Sequence, residues 1–167
     1  AVEIASLAVY CNNGQQCDSG SRTFVHEKIY DQFIEKVVAK AQKLKIGDPL
    51  KEETDIGPLV NQEQYERVLK YISIGKQEGA RLVFGGRDIS KELYGGSGYF
   101  VEPTIFADVT EDMTIYREEI FGPVMSIIKF SSLPEVVSKM NATPYGLAGG
   151  VVSKSMANIF AITRNIK

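Results

Sequence analysis

Short apolar runs that read as β-strands alternate along this chain with longer stretches in which apolar residues recur every three or four positions. Residues 22–25 are the first strand candidate, and 29–44 follow with Ile29, Phe33, Ile34, Val37, Val38 and Ala41 on one helical face. Gly47-Asp48-Pro49 ends that helix. A second helical pattern covers 62–79, carried by Val68, Leu69 and Ile72 and stopped at Gly79. Residues 81–84 read as a strand, 99–106 as an extended run around Pro103, 124–130 as a strand, 133–141 as a helix and 147–152 as a further apolar strand. Helices interleaved with short apolar strands imply the α/β class: a parallel or mostly parallel sheet with helices on both faces.

The 167 residues suffice for one substantial core, and 44% hydrophobic with 24% charged residues is an ordinary globular composition. A formal net charge of -2 and the absence of any Lys/Arg run give no electrostatic reason to expect nucleic acid or a membrane surface as partner. No apolar stretch is long enough to span a bilayer, and no secretory pattern opens the chain. Cys11, Cys17 and the lone His26 make neither a disulfide framework nor a zinc set. No metal is expected, and the surroundings are expected to be reducing and intracellular, the cytosol or the mitochondrial matrix. Residues 1–8 are already helical in pattern without a preceding cap, and 157–166 are helical without a stop signal, so a fragment is expected.

Cys11, on the tail of the first helix, reads as a small buried hydrophobe. Cys17 differs. Asn12, Asn13, Gly14, Gln15, Gln16, Asp18, Ser19 and Ser21 around it are poor core formers, so its sulfur is expected at a turn between helix and strand. A thiol there can attack a carbonyl carbon, with its own backbone N–H offered to the oxyanion. His26 reads as a solvated or capping residue, which leaves a cysteine hydrolase or acyl transferase without its base. The glycines of 94–98 and 146–151 lack the frame of a phosphate loop or dinucleotide fingerprint and read as a flexible loop and as close packing.

Gly14-Gln15-Gln16-Cys17 followed by Gly20-Ser21-Arg22 resembles the catalytic-cysteine segment of the NAD(P)-dependent aldehyde dehydrogenases. Arg117-Glu118-Glu119-Ile120-Phe121-Gly122-Pro123-Val124 is similar to the family's second signature, Glu-Glu-Ile-Phe-Gly-Pro. Lys45 to Leu50, Gly57-Pro58-Leu59, Gly79-Ala80-Arg81, Gly98-Tyr99-Phe100 with Pro103-Thr104, and Asn141 to Ala148 agree in order between them. The resemblance implies that residues 1–167 are the thiol-bearing catalytic domain, truncated at both ends, without the nucleotide-binding domain and the oligomerisation strands. It places the general-base glutamate and an asparagine oxyanion donor upstream.

What the resemblance implies for chemistry is oxidation of a small-molecule aldehyde to a carboxylic acid. Cys17 would form a thiohemiacetal and then a thioester, with NAD or NADP as cofactor. Glu119 would bond the hydroxyls of the nicotinamide ribose, Phe121 would pack beside the nicotinamide, and Gln64 would approach the same ribose. On composition alone Glu118 and Glu119 would be a solvated acidic turn, Phe121 a core anchor and Gln64 a surface residue. Asp18 departs from the family pattern, which has a small or apolar residue after the cysteine, and Ser19 departs more mildly. A carboxylate there opposes thiolate formation, faces the substrate tunnel and favours a cationic aldehyde, or simply points to backbone or solvent. The partners implied are the remainder of the same enzyme and, at full length, further copies of it. A catalytically silent structural or interaction module of the same fold is the alternative, and the isolated fragment is expected to be inactive.

Overall fold

The computed structural model describes residues 1–167 and centres on one four-stranded sheet. Its strands are β1 (Arg22–His26), β2 (Arg81–Phe84), β3 (Thr104–Ala107) and β4 (Val124–Phe130). They lie in the order β1-β4-β3-β2. β4 is parallel to both of its neighbours, and β2 is antiparallel to β3 at the edge, so the sheet is mostly parallel as expected.

The helices are α1 (Val2–Tyr10), α2 (Tyr30–Ala41), α3 (Gln62–Gln77), α4 (Ser90–Tyr94), α5 (Thr114–Arg117), α6 (Leu133–Asn141) and α7 (Met156–Thr163). Strand side chains alternate between the two faces of a sheet, and the central strands are apolar on both because helices cover both. Met125 and Ile127 of β4 with Ile105 of β3 join Val9, Phe33 and Val37 of α1 and α2 in one cluster. Val124 and Ile128 with Phe106 join Val68, Ile72 and Ile115 of α3 and α5 in the other. No helix is long and apolar enough to cross a membrane.

Three features depart from the sequence expectations. Residues 147–152 form no strand: Leu147 is 70% and Val152 55% exposed, and no backbone hydrogen bond ties the segment to the sheet. An apolar run becomes a strand only beside a partner ladder, and none runs alongside it. Cys11 is exposed, not buried. Helix α1 ends at Tyr10, and the left-handed Asn12 and Asn13 swing the chain off the face that buries Val9 and Tyr10. The short helices α4 and α5 had no periodic signal, being too brief to show one.

A buried phenol fixes the turn after β3. Tyr30, 1% exposed, accepts a 2.7 Å hydrogen bond from the Asp108 N–H and donates one of 3.0 Å to Asp108 Oδ1. Burial pushes the Tyr30 hydroxyl up to about 12. Partial burial would raise the Asp108 carboxyl, but Arg81, 2.6 Å away, and the Tyr30 hydroxyl outweigh it and hold the group below the usual carboxylate range. Tyr30→Phe should lower unfolding free energy by about 1–3 kcal/mol, read as a lower urea midpoint, because the Asp108 N–H loses its acceptor. A depressed native carboxylate stabilises above its unfolded value near pH ~4 and loses that contribution as pH falls through the native one. Asp108→Asn should therefore flatten the acid limb of the stability profile, by at most about 1 kcal/mol for so exposed a pair.

Candidate functional site

Beyond α1 the chain enters a single-turn helix, Cys11–Gly14, in which Asn12 and Asn13 have φ of 48° and 60°. Asparagine tolerates this region better than other side-chain-bearing residues. Asn13 is buried, and its Nδ2 donates to the carbonyls of Gly57 and Pro58, both at 2.8 Å. Gln15 Oε1 accepts from the Val60 N–H at 3.0 Å. Past the apex, Ser19 Oγ donates to the Ala8 carbonyl at 3.1 Å and the Gly20 N–H to the same carbonyl at 3.0 Å. Both legs of the loop are thus anchored, and Cys17 and Asp18 stand exposed at its tip. The Cys17 N–H donates to no acceptor, and Asp18 enters no ion pair.

The second motif reaches this loop through its backbone. A Cβ on Gly14, whose φ is +65°, would lie 2.2 Å from the Gly122 carbonyl oxygen and 2.8 Å from that of Val9. Gly122 is seated in turn on α3, where an added Cβ would meet Val68 Cγ2 at 2.4 Å. The structure therefore brings the loop of Cys17 and the segment of Glu119 and Phe121 into contact. Phe121 itself is left-handed, with φ of 60°.

Three side chains of α3 grip that segment. Gln64 Nε2 donates to the carbonyls of Ile120 at 3.0 Å and Phe121 at 2.8 Å. Arg67 Nη2 donates to the Glu119 carbonyl at 2.7 Å, and the Tyr71 hydroxyl donates to Glu118 Oε2 at 2.6 Å. Val60, Asn61, Gln64, Arg67, Tyr71 and half-buried Phe121 line an open groove of about 580 Å³. The Glu119 carboxylate is exposed and bonded to nothing. A groove of similar volume, about 570 Å³, lies between α2 and β2, but it is lined by neither thiol nor any residue of these two motifs.

His26 closes β1 at the end away from the Cys17 loop, roughly 13 Å of strand distant. Its Nδ1 accepts from the Lys28 N–H at 3.2 Å, a cap rather than a catalytic base. No group of three His, Cys, Asp or Glu side chains is placed to hold a metal ion. Of the residues that build the site, Asn13, Arg67 and Tyr71 were not anticipated. The available signal was spacing alone: Gln64, Arg67 and Tyr71 stand at i, i+3 and i+7, one face of a helix.

The model of the aldehyde dehydrogenase family matches residues 1–167. The chain is 47% identical to aldehyde dehydrogenase 1 of Tanacetum cinerariifolium over 167 residues, all of this chain and 32% of that relative. It is 48% identical to a betaine aldehyde dehydrogenase of Brucella anthropi, again over its whole length and 34% of the relative. An NAD+ complex of aldehyde dehydrogenase from Bacillus cereus superposes with a TM-score of 0.92 at 43% identity, over 99% of this chain and 33% of that one. The chain thus spans about a third of the length of the relatives it matches.

Gly14→Ala should disrupt the crossing of the two motifs, since a left-handed backbone and two carbonyl oxygens under 3.0 Å leave the methyl no room. The expected result is a loss of about 2–4 kcal/mol in unfolding free energy. Mass spectrometry of iodoacetamide-treated protein should also show a changed rate of Cys17 alkylation, with Cys11 as internal reference.

Proposed function

This chain belongs to the aldehyde dehydrogenase family, and we propose that it carries the thiol chemistry of an enzyme that oxidises an aldehyde to a carboxylic acid with NAD or NADP. The single observation behind this reading is the Gly14–Gly122 backbone contact, which sets the free thiol loop against the segment of Glu119 and Phe121. In this reading residues 1–167 act as the thiol-bearing catalytic domain, and the general-base glutamate, the asparagine oxyanion donor, the nucleotide-binding domain and the oligomerisation strands belong to other parts of the enzyme.

The Cys17 thiolate adds to the aldehyde carbon, forming the S–C bond while the carbonyl π pair moves onto oxygen. The unbonded Cys17 N–H is available to that oxyanion. Bound NAD or NADP supplies the hydride acceptor that turns this adduct into a Cys17 thioester. Water, deprotonated by the glutamate base, then displaces the thiolate and releases the acid. The groups present fit the nicotinamide ribose: a free carboxylate at Glu119 to accept from its hydroxyls, with Gln64 and the Phe121 ring lining the neighbouring groove. The Gln64 amide is already committed to two carbonyls, so its part is to hold Phe121 as well as to line the groove.

Asp18 supplies an unpaired negative charge next to the nucleophile, which favours an aldehyde bearing a cation. A betaine aldehyde dehydrogenase stands among the relatives.

With the glutamate base and most of the nucleotide site in other parts of the enzyme, these 167 residues mixed with NAD and a reactive aldehyde should reduce no cofactor, while iodoacetamide should alkylate Cys17 stoichiometrically. A folded chain whose Cys17 resists iodoacetamide would refute the nucleophile. In the whole enzyme, Asp18→Asn should lower kcat/KM on a quaternary ammonium aldehyde about 5- to 30-fold, the factor for 1–2 kcal/mol, and leave a neutral aldehyde of equal size unchanged. Equal effects on both would exclude the charge-selection role.

A further inference from the structure

We propose that Tyr71 and Glu118 form a positioning pair that aims the neighbouring Glu119 carboxylate at the cofactor; the inference rests on the ribose-binding reading of Glu119 given above. Glu118 and Glu119 are adjacent carboxylates, both exposed, and nothing in their chemistry distinguishes them. Their backbone does. Glu118 is extended, with φ −112° and ψ 150°, and in extended chain successive side chains point to opposite sides. The 2.6 Å hydrogen bond from the Tyr71 hydroxyl draws Glu118 onto α3. The Glu119 carboxylate accepts no bond and stays exposed beside it.

Arg67 completes the arrangement without competing for either carboxylate. Its Nη2 donates to the Glu119 carbonyl at 2.7 Å and to the Tyr71 hydroxyl at 3.4 Å, and its guanidinium lies 5.2 Å from the centre of the Tyr71 ring. The peptide plane on the C-terminal side of Glu119 is fixed from one end and the Glu118 side chain from the other. Gln64 then holds the next two carbonyls, so one face of α3 fixes every residue from Glu118 to Phe121. Burial, and secondarily the bond to Glu118, raises the Tyr71 hydroxyl above its ordinary value, which keeps it a donor through the physiological range. Losing that one donor leaves two unbonded like charges side by side, and the Glu118 carboxylate then competes with Glu119 for the cofactor.

The test uses the whole enzyme containing these residues and two readouts: the Kd for NAD and for NADP by calorimetry, and the rate of Cys17 alkylation by iodoacetamide without cofactor. Tyr71→Phe and Glu118→Ala should each raise Kd for the preferred cofactor about 5- to 10-fold. The double variant should be no weaker than either single, because the pair acts as a unit. Glu118→Gln keeps an acceptor oxygen and should restore most of the affinity. Alkylation of Cys17 should stay within about twofold of the parent in all four. Parental affinity in Tyr71→Phe, alongside weakened binding in Glu119→Gln, would overturn the positioning role while leaving the ribose reading intact. Equal loss of cofactor affinity and Cys17 reactivity would overturn it as well, since that pattern marks general disruption. Unchanged affinity in Glu119→Gln would instead remove the ribose reading, and the positioning role with it.

Discussion

The site depends on one close approach of two backbones, Gly14 against the carbonyl of Gly122. Sheet topology is what makes the approach possible. β1 and β4 are adjacent and parallel, so the loops that lead into them emerge at the same end of the sheet. The Cys17 loop leads into β1 and the Glu118–Gly122 segment into β4, and the two meet without any long connection. The meeting point is at the amino ends of these strands, not the carboxyl ends at which open α/β sheets commonly bind ligands. The groups offered to a ligand there are a backbone N–H, a carboxylate and a ring.

The hydrogen bonds of the site divide into those used up and those left over. Asn13, Gln64 and Arg67 donate to five loop carbonyls, of Gly57, Pro58, Glu119, Ile120 and Phe121. Loops packed against a helix lose water as a partner for these oxygens, and a side-chain donor is the substitute. All three donors are amide or guanidinium groups, none of which changes charge near neutral pH. These three donors therefore hold the loops alike across the neutral pH range. The Cys17 sulfur and the carboxylates of Asp18 and Glu119 are left unbonded, whereas the Glu118 carboxylate is taken up by Tyr71.

Periodicity made the sheet legible. Residues 22–25, 81–84 and 124–130 read as strands and are strands, because continuous apolar runs are what a doubly covered sheet demands. The same signal failed at 147–152, where apolar residues found no ladder beside them. Cys11 was misread for a local reason: two left-handed asparagines redirect the chain, and nothing in an apolar helical pattern announces such a turn. The two motifs named the residues of the site but not how they are held. Gln64, Arg67 and Tyr71 look like ordinary polar residues of a half-exposed helix, and only the segment crossing above them converts a solvated face into a clamp. Glu118 and Glu119 cannot be told apart as letters; the hydrogen bond from Tyr71 ties the first to α3 and leaves the second carboxylate free.

Phe121 shows what the clamp achieves energetically. A bulky residue at φ of 60° carries a penalty of about 1–2 kcal/mol, and such strain persists only where the surroundings overdetermine it. The surroundings here do. Gln64 holds the Phe121 carbonyl, Gly122 is wedged between Val68 and Gly14, and the Val124 N–H closes back on the Gly122 carbonyl at 2.7 Å. Relaxing Phe121 to an ordinary conformation would require breaking these contacts together. The ring is therefore presented to the groove by the same backbone crossing that presents the thiol. One steric constraint orients both halves of the site, and a change at either glycine reaches the other half through the carbonyl they share.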